Sequence, residues 1–340
     1  GPRQELAPGV TWRTATHDNP KWSIHIIEID MTSPSVRLVP VHKRSERLER
    51  TSAMAERVHA IAAVNAGYFN TRPPYNSVSL TRIDGKTIAV GSPGVSAIGF
   101  SGPNQSRPVI IKADKKSPEK TDWSQVMDAI GGRGYFITRN GVVEKIDNEG
   151  QEGPHNASRH PRTVIGYATN PYRIWLVTVD GRQKHSVGMT YRELARLMAD
   201  LGAEVSLNLD GGGSTTAWVK GKIVNSPSDG RERPVVSAWA VVPGCVIDNR
   251  DPGVTWGGAW TRAPHEKDYG EDHFVATGSP ALSWIAWRPY LKQSGLYKVE
   301  AWWADAPGRA SAAPFQIKHR DGQAAFLADQ RINGGQWNTL

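Results

Sequence analysis

Val205-Ser206-Leu207-Asn208-Leu209-Asp210-Gly211-Gly212-Gly213-Ser214-Thr215 is the stretch on which the reading of this chain turns. Val205 to Leu209 has the composition of a short buried strand, and Asp210 closes it just before three successive glycines. Glycine loses more conformational freedom on folding than any other residue, so three in a row need a reason. Without Cβ atoms, backbone N–H groups of Gly211, Gly212 and Gly213 can close around an anion beside the Asp210 carboxylate. A tight inter-strand turn is the alternative. The run is not a P-loop, because no Gly-Lys-Ser/Thr follows, and it lacks the Gly-x-Ser-x-Gly elbow of serine hydrolases.

Upstream, Ile174 to Val179 is a continuous β-rich run that ends in Asp180-Gly181. Between the two strands, Thr190 and Glu193 form a capping box, and Tyr191, Leu194, Ala195, Met198 and Leu201 fall on one helical face before Gly202. If the two strands are parallel neighbours, Asp180 and Asp210 share one sheet edge at carboxyl ends, where open sheets collect ligands. Further strands are expected at Ser23 to Asp30, where the isoleucines alternate imperfectly, and at Val36 to Val41, Ile61 to Val64 and Val235 to Val242. A short helix is expected over Thr51 to Ala60, and a hairpin around Gly221 joins Thr215–Lys220 to Lys222–Asn225.

The 340 residues exceed one comfortable core, and composition shifts near residue 245. Seven of the 13 tryptophans fall after it, among short strands such as Tyr297 to Trp303 and Pro314 to His319. The expected architecture is an α+β domain, a mixed sheet with helices, over residues 1–245, followed by a smaller all-β sandwich over 246–340. Acidic and basic residues balance in the second part, so the whole excess of +8 charges lies in the first, which suits an anionic substrate. No basic run with interleaved aromatics points to nucleic acid, and no apolar run is long enough to span a membrane. The single Cys245 excludes an internal disulfide framework. Gly1-Pro2 reads as the remnant of a cleaved tag, which leaves room for a removed export signal.

Other segments carry chemistry only in combination. Arg159-His160-Pro161-Arg162-Thr163 offers a planar guanidinium fork for phosphate and an imidazole for proton transfer, although alone it reads as a solvated basic loop. Asn65, with Gly67-Tyr68-Phe69, can line a sugar site or pack in a core; Asn225 to Arg233 is a polar loop containing Asp229.

Asn-Ala-Gly-Tyr-Phe at 65–69, Pro-Arg-Thr-Val-Ile-Gly at 161–166, Val-Asp-Gly-Arg at 179–182, Asn-Leu-Asp-Gly-Gly-Gly-Ser at 208–214 and Asn-Ser-Pro-Ser-Asp-Gly at 225–230 occur in the order seen in the phosphodiester glycosidase family, which this chain resembles over most of residues 10–245. Asp248-Asn249, Trp260, Trp302-Trp303, Ala313-Pro314-Phe315 and Asn333-Gly334-Gly335-Gln336-Trp337 resemble a golvesin C-terminal-like domain, shortened by a strand or two. The chain lacks the cysteines that animal members of the first family use for disulfides. The resemblance implies a secreted or envelope-associated hydrolase that cleaves a sugar, such as N-acetylglucosamine, from a sugar-1-phosphodiester polymer, with cell-wall polysaccharide as a further partner.

On that reading Asp210 is the carboxylate at the anomeric carbon, Asp180 its partner and His160 a proton carrier. Arg162, Arg233, Gly211, Gly212, Gly213, Ser214, Asn65, Tyr68 and Asp229 hold substrate. A divalent metal between the two aspartates stays open as an alternative, although no ligand spacing supports it. So do a metal-dependent phosphodiesterase and a non-catalytic glycan-binding protein.

Overall fold

Nearly every apolar run expected to be a strand is one, and nearly every strand lies in an antiparallel ladder, which makes the first unit mostly β. The computed structural model describes residues 1–33, 36–92, 95–101, 107–113, 116–132, 136–143, 157–244, 246–250, 254–270, 272–277, 283–289 and 297–340. The chain divides into two compact units, Gly1–Cys245 and Val246–Leu340.

The first unit begins with β1 (Gln4–Ala7), β2 (Val10–Asp18), β3 (Lys21–Asp30) and β4 (Val36–His42), followed by helix α1 (Thr51–Arg57) and β5 (Ala62–Asn65). Next come β6 (Leu80–Ile83), β7 (Lys86–Val90), β8 (Ser96–Ser101), β9 (Arg107–Lys112), β10 (Asp128–Gly131), β11 (Phe136–Arg139) and β12 (Val142–Val143). It ends with β13 (Arg162–Thr169), β14 (Tyr172–Val179), α2 (Tyr191–Asp200), β15 (Val205–Asn208), β16 (Ala217–Val219), β17 (Lys222–Ile223) and β18 (Ser237–Pro243). Three sheets result, in the orders β1-β2-β3-β14-β13-β15-β11-β12, β17-β16-β5-β18-β4 and β7-β6-β10-β8-β9.

Both faces of the large sheet are buried. On one face Ile27, Ile29, Ile165, Leu176 and Leu207 pack with Leu38, Val64 and Trp239 of the second sheet. On the other, Ile24, Ile26, Val164, Trp175 and Val177 pack against Leu194, Ala195 and Met198 of α2. That explains the imperfect alternation along β3: an isoleucine is needed on each side, so the strand is not half-exposed. Helix α1 covers the outer face of the second sheet through Met54 and Ala55. The capping box at Thr190 and Glu193 is formed as the sequence indicates, and Gly202, at φ +93°, follows the helix end.

The topology corrects the expectation of a mixed sheet with parallel neighbours. β13 lies between β14 and β15 and pairs antiparallel with both, so those two strands run in the same direction without touching. Their carboxyl ends still reach one edge: Arg162 pairs with Val179 on one side, and the Leu209 N–H donates to Thr163 O at 2.8 Å on the other. Asp180 and Asp210 therefore flank the start of β13. Among the described residues two helices stand in a largely antiparallel framework, so this is a mostly β fold where a mixed sheet with helices is expected.

The second unit is also β: β19 (Val254–Gly257) pairs with β22 (Trp284–Trp287), β20 (Trp260–Ala263) with β21 (His273–Ala276), β23 (Glu300–Trp302) with β26 (Trp337–Thr339), and β24 (Ala313–His319) with β25 (Gly322–Ala328). These are four two-stranded ladders among the described residues.

One buried amide joins the two large sheets. Asn65, at the end of β5 and fully buried, donates from Nδ2 to Asp210 O at 2.7 Å and accepts at Oδ1 from Thr163 Oγ1 at 2.7 Å and Thr216 N at 3.1 Å. Asn65→Ala would strand three polar groups at once, so we expect a loss on the order of 3 kcal/mol of unfolding free energy, read from urea denaturation. Thr163→Val, which removes one of the three bonds, should cost about a third as much.

Candidate active site

The Asp210 backbone is pinned from the second sheet before its side chain is considered. Its N–H donates to Ala66 O at 2.8 Å, and its carbonyl accepts the Asn65 amide. Part of its surface stays open. Desolvation nevertheless dominates its titration and raises the carboxyl to about 6, against the opposing pull of Ser214, Arg233 and the Gly211 N–H. Ser214, 1% exposed, exerts that pull from nearby, while its hydroxyl reaches no partner in full hydrogen-bond geometry.

The glycine run forms a single 3₁₀ turn over Gly212–Ser214. The Gly212 N–H donates to Pro161 O at 2.9 Å, the Ser214 N–H to Gly211 O at 3.2 Å, and the Thr215 N–H to Gly212 O at 3.2 Å. Of the three glycine N–H groups expected to cradle an anion, that of Gly212 is thus engaged within the protein. What the missing side chains provide is close approach. A Cβ on Gly211 would stand 2.7 Å from Pro161 O, and one on Gly212 would stand 3.3 Å from Arg182 Nη2. At Gly213 it would overlap Arg233 Nη2 and both carboxylate oxygens of Asp229.

Two charged groups thus rest directly on the turn. Arg233 is paired with Asp229 (Nε to Oδ2 2.8 Å, Nη2 to Oδ2 2.6 Å), and both side chains remain over a third exposed. Arg182 is exposed and directs Nε and Nη2 toward His160 Nδ1 at 3.3 and 3.2 Å. Behind them, Asn208 Nδ2 donates to the hydroxyls of Tyr68 at 2.8 Å and Tyr191 at 3.1 Å. Burial pushes the Tyr68 phenol well above its ordinary range, with help from Tyr191 and Asp210.

Three expected roles change. Asp180 is 2% exposed and occupied: Oδ1 accepts from Ser226 N at 2.9 Å and Asn225 Nδ2 at 3.2 Å, and Oδ2 faces His185 Nε2 at 3.3 Å and His25 Nε2 at 3.8 Å. Burial works to raise its pKa, but His25, the Ser226 N–H and His185 outweigh it and hold the carboxylate below its ordinary value. A group so enclosed cannot meet an anomeric carbon; it anchors the loops that follow β14 and β17. Asn65 is the inter-sheet tie, with its amide fully used. Arg162, 2% exposed, gives Nε to Met189 O at 2.8 Å and Nη2 to Ser158 O at 3.0 Å, and lies 4.4 Å over the Tyr191 ring. Desolvation lowers its pKa, and its place is beneath the site, not at its surface.

The structure therefore gathers Asp210, Ser214, Asp229, Arg233 and the glycines at one turn, with His160 and Tyr68 beside it. Sequence reasoning overlooked Arg182, although it closes the Val179-Asp180-Gly181-Arg182 segment. Tyr191 lies in the core as its helical face implies, but helical spacing does not show that its hydroxyl meets Asn208. Among the described residues, no group of three or more His, Cys, Asp or Glu side chains is gathered as a metal ion would need.

Comparison with known proteins follows the same division of the chain. A model of the phosphodiester glycosidase family matches residues 59–242, and a model of the golvesin C-terminal domain matches 245–340. The SPbeta prophage-derived uncharacterized protein YomE of Bacillus subtilis (strain 168) is 39% identical over 83 residues, which is 24% of this chain but 13% of that protein. The zebrafish N-acetylglucosamine-1-phosphodiester alpha-N-acetylglucosaminidase catalytic domain, auto-inhibited by its pro-peptide, aligns at TM-score 0.55 and 20% identity over 68% of this chain and 82% of its own. A hypothetical protein from Synechocystis aligns at 0.57 and 16% identity over 71% of this chain and 64% of its own. The structural likenesses establish a shared fold.

The Asp229–Arg233 pair leaves no room for a Cβ at Gly213. Gly213→Ala should therefore separate the two, seen as a shifted Arg233 Nε–H resonance and a lower melting temperature. Asp229→Ala in the same background should recover part of that melting temperature by relieving the overlap.

Proposed function

This chain belongs to the phosphodiester glycosidase family, and we propose from that membership and from its site that it hydrolyses the glycosidic bond of a sugar-1-phosphodiester. The observation that carries the reading is the Asp210 carboxyl, held near pH 6 in its titration and set against a turn on which Arg182 and Arg233 rest. Phosphate is a good leaving group, so little general-acid assistance is required. The demand falls on stabilising positive charge as it develops at the anomeric carbon. Asp210 as carboxylate supplies that, and the two exposed-side arginines Arg182 and Arg233 receive the phosphate side, with Ser214 buried behind the turn. Asp229, at the other flank of Gly213, stands where it can orient water or a sugar hydroxyl. Tyr68, with its phenol kept protonated, offers an apolar face to the pyranose.

The zebrafish relative, an N-acetylglucosamine-1-phosphodiester alpha-N-acetylglucosaminidase, supports N-acetylglucosamine as the sugar. The golvesin C-terminal domain supports action outside the cell, on a phosphate-containing polymer of the envelope or capsule. The basic excess of the first unit favours such a polyanion.

Which bond breaks tests the reading. Attack by water at the anomeric carbon leaves the bridging oxygen with phosphate, so oxygen-18 from labelled water should appear in the released sugar, read before exchange at its free hydroxyl. Label in the phosphate product would identify a phosphodiesterase instead, and absence of turnover a binding protein.

The pKa of Asp210 adds a second test with two readouts. Because the carboxylate is the working form, kcat/KM should rise as pH climbs through about 6. Between about pH 4 and 6 the native state keeps a proton that the unfolded chain releases, so ionising Asp210 lowers stability across that window, by on the order of 3 kcal/mol once complete. Asp210→Asn should abolish turnover while raising the melting temperature at about pH 7, with the gain fading near pH 4. Near wild-type turnover in this variant would remove Asp210 from the reaction.

A further inference from the structure

Of Arg159, Arg162, Arg182 and Arg233, three are already committed. Arg159 is held by the Glu193 carboxylate, with Nη2 to Oε1 at 2.6 Å and Nε to both oxygens at 3.1 Å. Arg233 is paired with Asp229. Arg162 is buried against two backbone carbonyls and the Tyr191 ring. Arg182 differs: it is exposed and, among the described residues, no carboxylate neutralises it.

It is nonetheless placed. Its guanidinium lies close over Gly212, 3.3 Å from where a Cβ there would stand, and directs two nitrogens toward His160 Nδ1. A guanidinium can only donate, so Nδ1 accepts and the proton of a neutral His160 ring resides on Nε2. His160 is itself fixed by a two-way backbone pairing with Met189, at 3.3 and 3.0 Å. Arg182 also holds a left-handed backbone, φ +60°, which a residue with a Cβ adopts only at some energetic cost. The buried anchor Asp180, two residues before it, keeps that segment in place.

We infer that Arg182, steadied by His160 against Gly212, is the cation that receives the substrate's phosphate. The inference rests on the phosphodiester reading and replaces the phosphate role that the sequence assigns to Arg162. A planar fork meets two phosphate oxygens at once, and an unneutralised guanidinium is where an anion gains most. Burial chiefly lowers the pKa of Arg162, the like charge of Arg182 adds to it, and a phosphate at Arg182 offsets that smaller repulsion.

The test uses the full chain with Arg182→Asn, chosen because asparagine tolerates positive φ, and Arg182→Lys, which keeps the charge without the fork. Inorganic phosphate and dimethyl phosphate are the probes, titrated by calorimetry and in competition with each other. Wild type should bind both competitively, Arg182→Asn should weaken both by about 30-fold at unchanged melting temperature, and Arg182→Lys should fall between. On a small sugar-1-phosphodiester the KM of Arg182→Asn should rise by a similar factor. No binding by wild type, binding of inorganic phosphate alone, or unaltered affinity in Arg182→Asn would each overturn the assignment. Turnover of the diester with an unchanged KM in Arg182→Asn refutes the subsite and leaves the hydrolase reading standing. Anion binding that depends on Arg182 in a chain without turnover does the reverse.

Discussion

The amide of Asn65 is the tie on which the rest of the first unit depends. Two sheets packed face to face need no polar link between them, and apolar burial of Ile27, Ile29, Leu176, Val64 and Trp239 supplies most of their cohesion. Apolar contact is not directional, however, and cannot set the height of one sheet edge against another. Asn65 does so by bonding at once to the Asp210 carbonyl, the Thr163 hydroxyl and the Thr216 N–H. Asn65, Thr163 and Thr216 are fully buried, so any slip between the sheets would leave polar groups unpaired. The position of the candidate carboxylate is thus fixed by a residue of the neighbouring sheet whose own amide is fully engaged.

Around that fixed point the fold concentrates unfavourable features that neighbouring structure must sustain. Asp210 is desolvated enough to titrate near 6. The hydroxyls of Ser214 and Thr215 are buried without a hydrogen-bond partner. Arg182 holds a left-handed backbone, and three glycines in sequence raise the entropy of the unfolded chain. Strain of this kind persists only where the surroundings over-determine it. Here they are the inter-sheet tie on one side and the Asp180 anchor on the other, where one buried carboxylate holds Ser226, Asn225 and His185 together.

The glycines illustrate how one residue type can serve an end other than the obvious one. A nest of N–H groups for an anion needs those groups to be available, and the Gly212 and Ser214 N–H groups close the turn instead. The steric consequence remains. Only a turn without Cβ atoms lets Pro161 O, the Arg182 guanidinium and the Asp229–Arg233 pair approach from three directions. Charge selectivity in this site therefore comes from side chains resting on a bare backbone.

The sequence alone carried the strands, the capping box at Thr190 and the stop at Gly202, and it singled out Asp210 and the glycine run, because each depends on local periodicity, local hydrogen bonding or the absence of a side chain. It placed Asp180 and Asp210 at one edge for a reason that was half correct. Both strands do run the same way, but β13 lies between them, and no pattern in residues 174–210 records which strand intervenes. Whether a polar residue faces solvent or a buried partner was equally hidden. Asp180, Asn65 and Arg162 look on paper like Asp210, Tyr68 and Arg233; only the tertiary structure separates the fully enclosed groups from those that keep exposed surface. That distinction rests on desolvation and on contacts between residues distant in sequence, such as Asn65 with Asp210 or Asp180 with Ser226, which a linear reading does not contain.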